Sequence, residues 1–363
     1  MQYRPLGKTG YQVFPIGLGC APMMTLSLAA GTRLVRRAIE LGLNYIDTAH
    51  GYGETEVMVG QALQGQREKV FLSTKTFGPT RADAWREILD SLQRLQTDYL
   101  DNCHLHALSE GADMDKRLGP GGALEALVEA RQAGLIRHIG CTAHTSRALI
   151  QALARFDFQI ILIPMNIVER EPLDELIPLC QQKGVGVTIM KPVATGLLPA
   201  RPALKWLLNQ PVATIVPGVT TLAELELDAA IGHLDDYTLS ADEQAQVDAL
   251  AEQLKHVRCR VCRACEPYCP QHLWLGDVLG SEVMYDHYRT MGREAFASAP
   301  WSVSFVAGDN ERQAKLVSSI ESCGECRKCE EHCPYGLPAP DMLRAMLPGL
   351  KDMLGIYQQR LKR

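Results

Sequence analysis

Phe14-Pro15-Ile16-Gly17-Leu18-Gly19-Cys20-Ala21-Pro22 is the stretch that decides the fold. A glycine pair at the end of a first apolar strand is how a dinucleotide-binding turn begins, and such a turn opens a doubly wound sheet. That fingerprint needs a third glycine three positions after the second, on the way into a helix. Here Pro22 stands in its place.

Outward from this stretch, strand-length apolar runs alternate with amphipathic ones. The strand-like runs are 14–18, 43–46, 70–74, 99–105, 136–140, 158–163, 185–190 and 214–216. Helix-like stretches lie at 32–41, 54–63, 81–95, 123–133, 146–154, 173–182, 203–209 and 222–231. Trp85, Ile88, Leu89, Leu92 and Leu95 show the helical period most clearly. Eight β/α units predict an α/β fold, a (β/α)8 TIM barrel over 1–235. A linking helix capped by Ser240 follows over 236–257. The remainder, 258–363, reads as a small, mostly helical domain, with 271–321 helical and its best helices at 277–293 and 310–320.

The chain has 363 residues, 46% of them hydrophobic, and a net charge of −5, so it has no basic footprint for nucleic acid. The N-terminus lacks an apolar signal region, and no run is long enough to span a bilayer. The expected location is cytoplasmic.

In a barrel, residues at the C-terminal ends of the strands face the active site. Those ends carry Asp47 and, in the loop after it, Tyr52; then Lys75; then His104 and His106. An ammonium beside a phenol favours the phenolate, and a carboxylate holds that ammonium charged. The tyrosine then passes a proton to a carbonyl oxygen as hydride reaches the carbon, and the histidine donates to the same oxygen.

Asp47-Thr-Ala-x-x-Tyr52-Gly-x-x-Glu56, Thr74-Lys75 and Asp98-Tyr-Leu-Asp101-x-x-x-Leu-His106 resemble the aldo-keto reductase superfamily. The opening residues 1–19 are similar to that family's first hairpin and strand. The resemblance implies a catalytic tetrad of Asp47, Tyr52, Lys75 and His106, the spacing from Asp98 favouring His106 over His104. It also implies NAD(P)H, held at the nicotinamide by Thr142, Asn166 and Met190. Gly218, Thr220 and Thr221, ahead of a helix, would cradle phosphate. The family's cation for a 2′-phosphate falls on Glu224, so NADH is expected to bind at least as well as NADPH.

Twelve cysteines are unusual in a cytoplasmic chain unless they bind something. Cys20, Cys103, Cys141 and Cys180 are scattered among apolar residues and read as packing residues. The other eight form two complete CxxCxxCxxxCP runs: Cys259, Cys262, Cys265, Cys269 and Cys323, Cys326, Cys329, Cys333. Zinc sites pair their cysteines across a longer gap. Three close thiolates instead wrap one cubane, and the fourth in paired runs ligates the other. The expectation is two [4Fe-4S] clusters in a module resembling an α-helical ferredoxin, on the iron–sulfur branch of the family.

The predicted function is an oxidoreductase acting on a small-molecule carbonyl or alcohol, coupled to or accompanied by 4Fe-4S electron transfer with a partner such as a ferredoxin or flavoprotein. A barrel that serves only as scaffold, and clusters that are structural or oxygen-sensing, are the alternatives.

Overall fold

The computed structural model describes residues 3–298 and 310–361. The segment 299–309, part of the stretch read as helical, lies outside the described residues. The chain forms two compact units, Met1–Leu250 and Ala251–Arg363.

A short antiparallel hairpin, Arg4–Pro5 with Gln12–Val13, opens the first unit. One sheet of eight strands follows: β1 Leu18–Gly19, β2 Tyr45–Asp47, β3 Phe71–Thr76, β4 Leu100–Leu105, β5 Ile136–Thr142, β6 Ile160–Pro164, β7 Gly186–Met190 and β8 Thr214–Ile215. Each strand pairs in parallel with the next. Parallel bridges from Ile16 to Ile215 and from Gly19 to Gly218 curl the sheet back on itself.

The glycine pair of the deciding stretch serves this closure. Gly17 N donates to Ile215 O at 2.8 Å and Gly19 N to Pro217 O at 2.9 Å. A Cβ at Gly17 would stand 2.8 Å from Tyr45 O, and one at Gly19 2.7 Å from Val216 O. Only a bare backbone passes between β2 and the end of β8 here.

Helices α1 Leu28–Glu40, α2 Thr55–Leu63, α3 Arg81–Leu95, α4 Ala123–Gln132, α5 Ser146–Arg155, α6 Leu176–Lys183, α7 Ala200–Leu208 and α8 Leu222–Gly232 connect the strands and follow β8. The first starts earlier than its apolar spacing suggests, because the Ser27 side chain accepts from Ala30 N at 3.3 Å and caps it. Along α3, Ile88, Leu92 and Leu95 are buried, whereas Leu89 is 45% exposed and lies off the stripe. A further short helix, Ala112–Leu118, follows β4; it is too short for periodicity to show.

The second unit is helical: Leu275–Gly280, Glu282–Met291, Arg293–Ser298, Asn310–Glu321, Lys328–Glu331 and Ala339–Leu361. The helix expected over 277–293 is broken at Ser281, whose hydroxyl donates to Val278 O at 2.6 Å. Leu275, Val278, Leu316, Leu343, Leu350 and Ile356 share one core with Cys269 and Cys329. No helix among the described residues is long and apolar enough to cross a membrane.

Candidate active site and cluster-binding runs

The strand ends bring the four expected residues together. Lys75, on β3, is 1% exposed. Its Nζ donates to Asp47 Oδ2 at 2.5 Å and to Thr48 O at 2.7 Å. The ammonium lies 4.9 Å from the centre of the Tyr52 ring. Tyr52 and His106 meet edge to face with centroids 5.6 Å apart. Phe77 stacks on His106 at 3.9 Å. His104, two residues earlier on β4, is fully buried.

The loop after β3 is pinned from α3. The Glu87 carboxylate accepts from Thr76 Oγ1 at 2.6 Å, Phe77 N at 2.9 Å and Gly78 N at 3.1 Å. Arg117, which no sequence motif marks, is buried in the short helix after β4. It donates to His106 O at 2.7 Å and Thr76 O at 3.0 Å, tying together the ends of β3 and β4. An arginine in a polar stretch carries no signal by itself; only its burial against two carbonyls reveals it.

Burial works against the Lys75 ammonium, but its neighbours, the Asp47 carboxylate first, more than offset it, so the lysine stays charged. The phenol of Tyr52 behaves differently from the sequence expectation. Burial raises it above its ordinary value, and the opposing pull of Lys75 is smaller. The phenol is therefore firmly protonated at neutral pH, a proton source rather than a standing phenolate. Burial, then the Lys75 charge, holds the His106 imidazole well below its ordinary value, so it is neutral and able to donate.

The residues expected at the cofactor are more occupied. Thr142 Oγ1 accepts from Ala107 N at 2.7 Å, which leaves its own proton to give. Asn166 turns its loop: Oδ1 accepts from Val168 N at 2.9 Å and Glu169 N at 3.0 Å, and Nδ2 donates to Glu169 Oε2 at 2.7 Å. Met190 ends β7 and packs on an apolar group that includes Leu6, Tyr45 and Leu162. Gly218 lies against Pro22, with no room for a Cβ, which would stand 2.5 Å from Pro22 Cγ. Thr221 caps α8 in a capping box. Glu224 Oε2 accepts from Thr220 N at 2.8 Å, Thr221 N at 3.0 Å and Thr220 Oγ1 at 3.2 Å. A carboxylate of the chain thus occupies the helix N-terminus that was read as a phosphate cradle.

No disulfide joins any of the twelve cysteines, all of which lie among the described residues. The four scattered ones are buried, as their apolar surroundings suggested. The two runs repeat one backbone at an offset of 64 residues (Cys259 to Cys323). Val261 and Glu325 are left-handed at φ 56° and 50°, Arg263 and Arg327 at 59° and 58°, and His272 and Gly336 at 52° and 60°. A β-branched residue in this region is costly and persists only where its surroundings demand it. Arg263 reaches Asp277 at 2.7 Å and Arg327 reaches Asp341 at 3.0 Å, partners at the same offset.

Val261 N points to Cys259 Sγ at 3.4 Å, as an amide does towards a thiolate. Burial pushes the Cys259 thiol up to about 12, and Cys262, Cys265 and Cys333 push it the same way. Cys265 is pushed up to about 12, by burial first and then by Cys333 and Cys262. Among the described residues no three His, Cys, Asp or Glu side chains converge as ligands of a single metal ion would. A cubane asks for another arrangement, since each of its four thiolates binds a separate iron. Cysteines crowded on two matching left-handed turns suit that donor set.

The aldo/keto reductase family model matches residues 15–202, more than half the chain. The chain belongs to that family. A 4Fe-4S dicluster domain model matches residues 258–338, so a separate ferredoxin-like domain of the 4Fe-4S type follows the reductase. An oxidoreductase of Bacillus subtilis is 31% identical over 216 residues, 56% of this chain and 68% of its own length. An L-galactose dehydrogenase of Arabidopsis thaliana is 27% identical over 310 residues, 71% of this chain and 96% of its own. Among solved structures, a holo aldo-keto reductase of Bacillus halodurans aligns with a TM-score of 0.59 at 28% identity, covering 69% of this chain and 96% of that one. The protein is an NAD(P)-dependent oxidoreductase of the aldo/keto reductase type.

Proposed function

We propose that the first unit reduces a small carbonyl, or oxidises the matching alcohol, with NADH, and that the second carries two [4Fe-4S] clusters that trade electrons with a partner protein. The ion pair of Lys75 with Asp47, set against the Tyr52 ring, carries the first half of this reading.

When bound, a nicotinamide supplies hydride. Tyr52 gives its phenol proton to the carbonyl oxygen, and Lys75 stabilises the phenolate left behind. Neutral His106 donates to the same oxygen and orients it. Thr142 and Asn166 would hold the carboxamide end, and Met190 would lie under the nicotinamide ring. Gly218, Thr220 and Thr221 would line the phosphate end, though not through the Thr220 and Thr221 amides, which Glu224 fills, and Glu224 would accept from a ribose hydroxyl.

In the second unit, Cys259, Cys262 and Cys265 would hold one cluster with Cys333. Cys323, Cys326 and Cys329 would hold the other with Cys269. The Arg260 guanidinium over the Tyr335 ring, 3.9 Å from its centroid, brings the turn after Cys333 to the first run and supports the crossed set.

The test is Tyr52→Phe. Removing the phenolic proton should lower carbonyl reduction by ~10²–10⁴-fold, with NADH binding and thermal stability nearly unchanged. A variant keeping most of its turnover would remove Tyr52 as the acid.

A further inference from the structure

The two cluster-binding runs are halves of an internal repeat, and the repeat isolates what differs between them. At the 64-residue offset the shared features cancel. Arg263 pairs with Glu266 and Asp277, and Arg327 pairs with Glu330 and Asp341. Tyr268 and His332, each just before the fourth cysteine of its run, stack on one another at 3.5 Å.

Several charges break the symmetry, and most are neutralised. Arg258 stands opposite Ser322 in the repeat, but Asp286 at 3.1 Å and Glu282 at 3.8 Å balance it. Glu325 stands opposite Val261, and Arg344 balances it. Lys328 and Glu331 replace Ala264 and Pro267, and their charges are of opposite sign. Arg260 remains, opposite Gly324. Its guanidinium lies over the Tyr335 ring, 3.9 Å from the centroid. Among the described residues no carboxylate lies within ion-pair distance of it. It is flanked in sequence by Cys259 and Cys262, and through Tyr335 it reaches the turn after Cys333. The matching contact in the other half is uncharged: a Cβ at Gly324 would stand 3.0 Å from Gln271 Nε2.

We propose that Arg260 makes the two cluster sites unequal, so that the set Cys259, Cys262, Cys265 and Cys333 takes the first electron. The set Cys323, Cys326, Cys329 and Cys269 takes the second. A fixed positive charge stabilises the more negative, reduced state of the nearer cluster, and cluster potentials follow local charge. Electrons arriving from a one-electron donor would collect at the first set, and the second set would be the better reductant once both are filled. The inference rests on the two-cluster reading.

The experiment uses full-length protein prepared anaerobically, titrated with dithionite and followed by low-temperature electron paramagnetic resonance. Iron and sulfide are counted first, because four of each per fully loaded chain, instead of eight, would overturn the two-cluster reading itself. With eight present, the wild type should reduce in two steps, the cluster missing from Cys262→Ser protein being the first. Arg260→Gly should shift that step to lower potential and draw the two together. Gly324→Arg should narrow the gap from the other side. If Arg260→Gly fails to hold eight irons, Arg260→Gln is titrated instead. Unchanged midpoints in an iron-replete Arg260 variant, or a first step belonging to the Cys326 cluster, would overturn the proposal.

Discussion

At the mouth of the barrel each titratable group is held in the one state its proposed task needs. Lys75 is charged because Asp47 is beside it, and Tyr52 is protonated because burial outweighs that lysine. His104 and His106 are neutral because burial, then Lys75, holds both well below the usual ~6.5. This has a thermodynamic consequence. On unfolding below pH ~6.5 both imidazoles take up protons that the folded state refuses. The unfolded state then binds more protons, so stability rises with pH in this window. The contribution is complete above ~6.5 and is lost as pH falls towards the low folded values, by up to ~1.4 kcal/mol per pH unit for each histidine. The melting temperature should fall between pH 7 and pH 5, and His104→Phe should flatten the slope. An unchanged melting temperature across that range would show that neither ring is held neutral. The identities of these residues were legible from motif spacing. The direction of the Tyr52 shift was not, since the balance between burial and Lys75 exists only once the strands assemble.

Among the elements, α8 carries the clearest consequence. Its capping box turns Glu224 back onto the N-terminal amides, where a 2′-phosphate would otherwise find donors. Partial burial pushes that carboxyl up, and the amides of Thr220 and Thr221 more than reverse the push, so it stays ionised. One turn on, Asp228 is buried and pushed up to about 7, by burial and then by Glu224. Two acidic side chains on one helix face disfavour a doubly charged phosphate. Parallel fluorescence titrations should therefore show NADH binding at least as tightly as NADPH. Glu224→Lys should move the preference towards NADPH by roughly tenfold, about 1.4 kcal/mol. A tenfold preference of the unaltered protein for NADPH would contradict this. The sequence placed the helix, 222–231 against the observed Leu222–Gly232, but its cap and the hydrogen bonds that fill the cradle depend on rotamers that no spacing reveals.

For the whole molecule, the proposed function puts two kinds of electron chemistry on one chain. Hydride carries two electrons, and each cluster exchanges one at a time. That mismatch in electron count is the reason the halves are expected to work separately. Dithionite should bleach the cluster absorbance anaerobically, and NADH alone should not. Stripping iron with a chelator and oxidant should abolish the thermal transition of the second unit. Its eight cysteines would then lose the metal that joins them, and its left-handed turns their template. Carbonyl reduction by the first unit should stay within about twofold. Bleaching by NADH, or loss of turnover together with the iron, would join the two halves instead.

The sequence alone determined the things that repeat or are covalent. Eight strand–helix alternations, the missing third glycine at Pro22, the ladder of Asp47, Tyr52, Lys75 and His106, and the doubled cysteine run are all patterns of identity and interval. Local periodicity and ligand spacing survive in one dimension. The tertiary structure decided what depends on distant segments meeting. Gly17 and Gly19 prove to be needed because β8 closes against them. Arg117 matters because two strand ends reach it, and Glu224 because its helix start curls under it. Arg260 stands apart because the second run folds back to set Tyr335 beneath it and leaves no such charge at Gly324. Each is a relation between residues far apart in the chain or in rotamer space, created only when burial and hydrogen bonding bring them together.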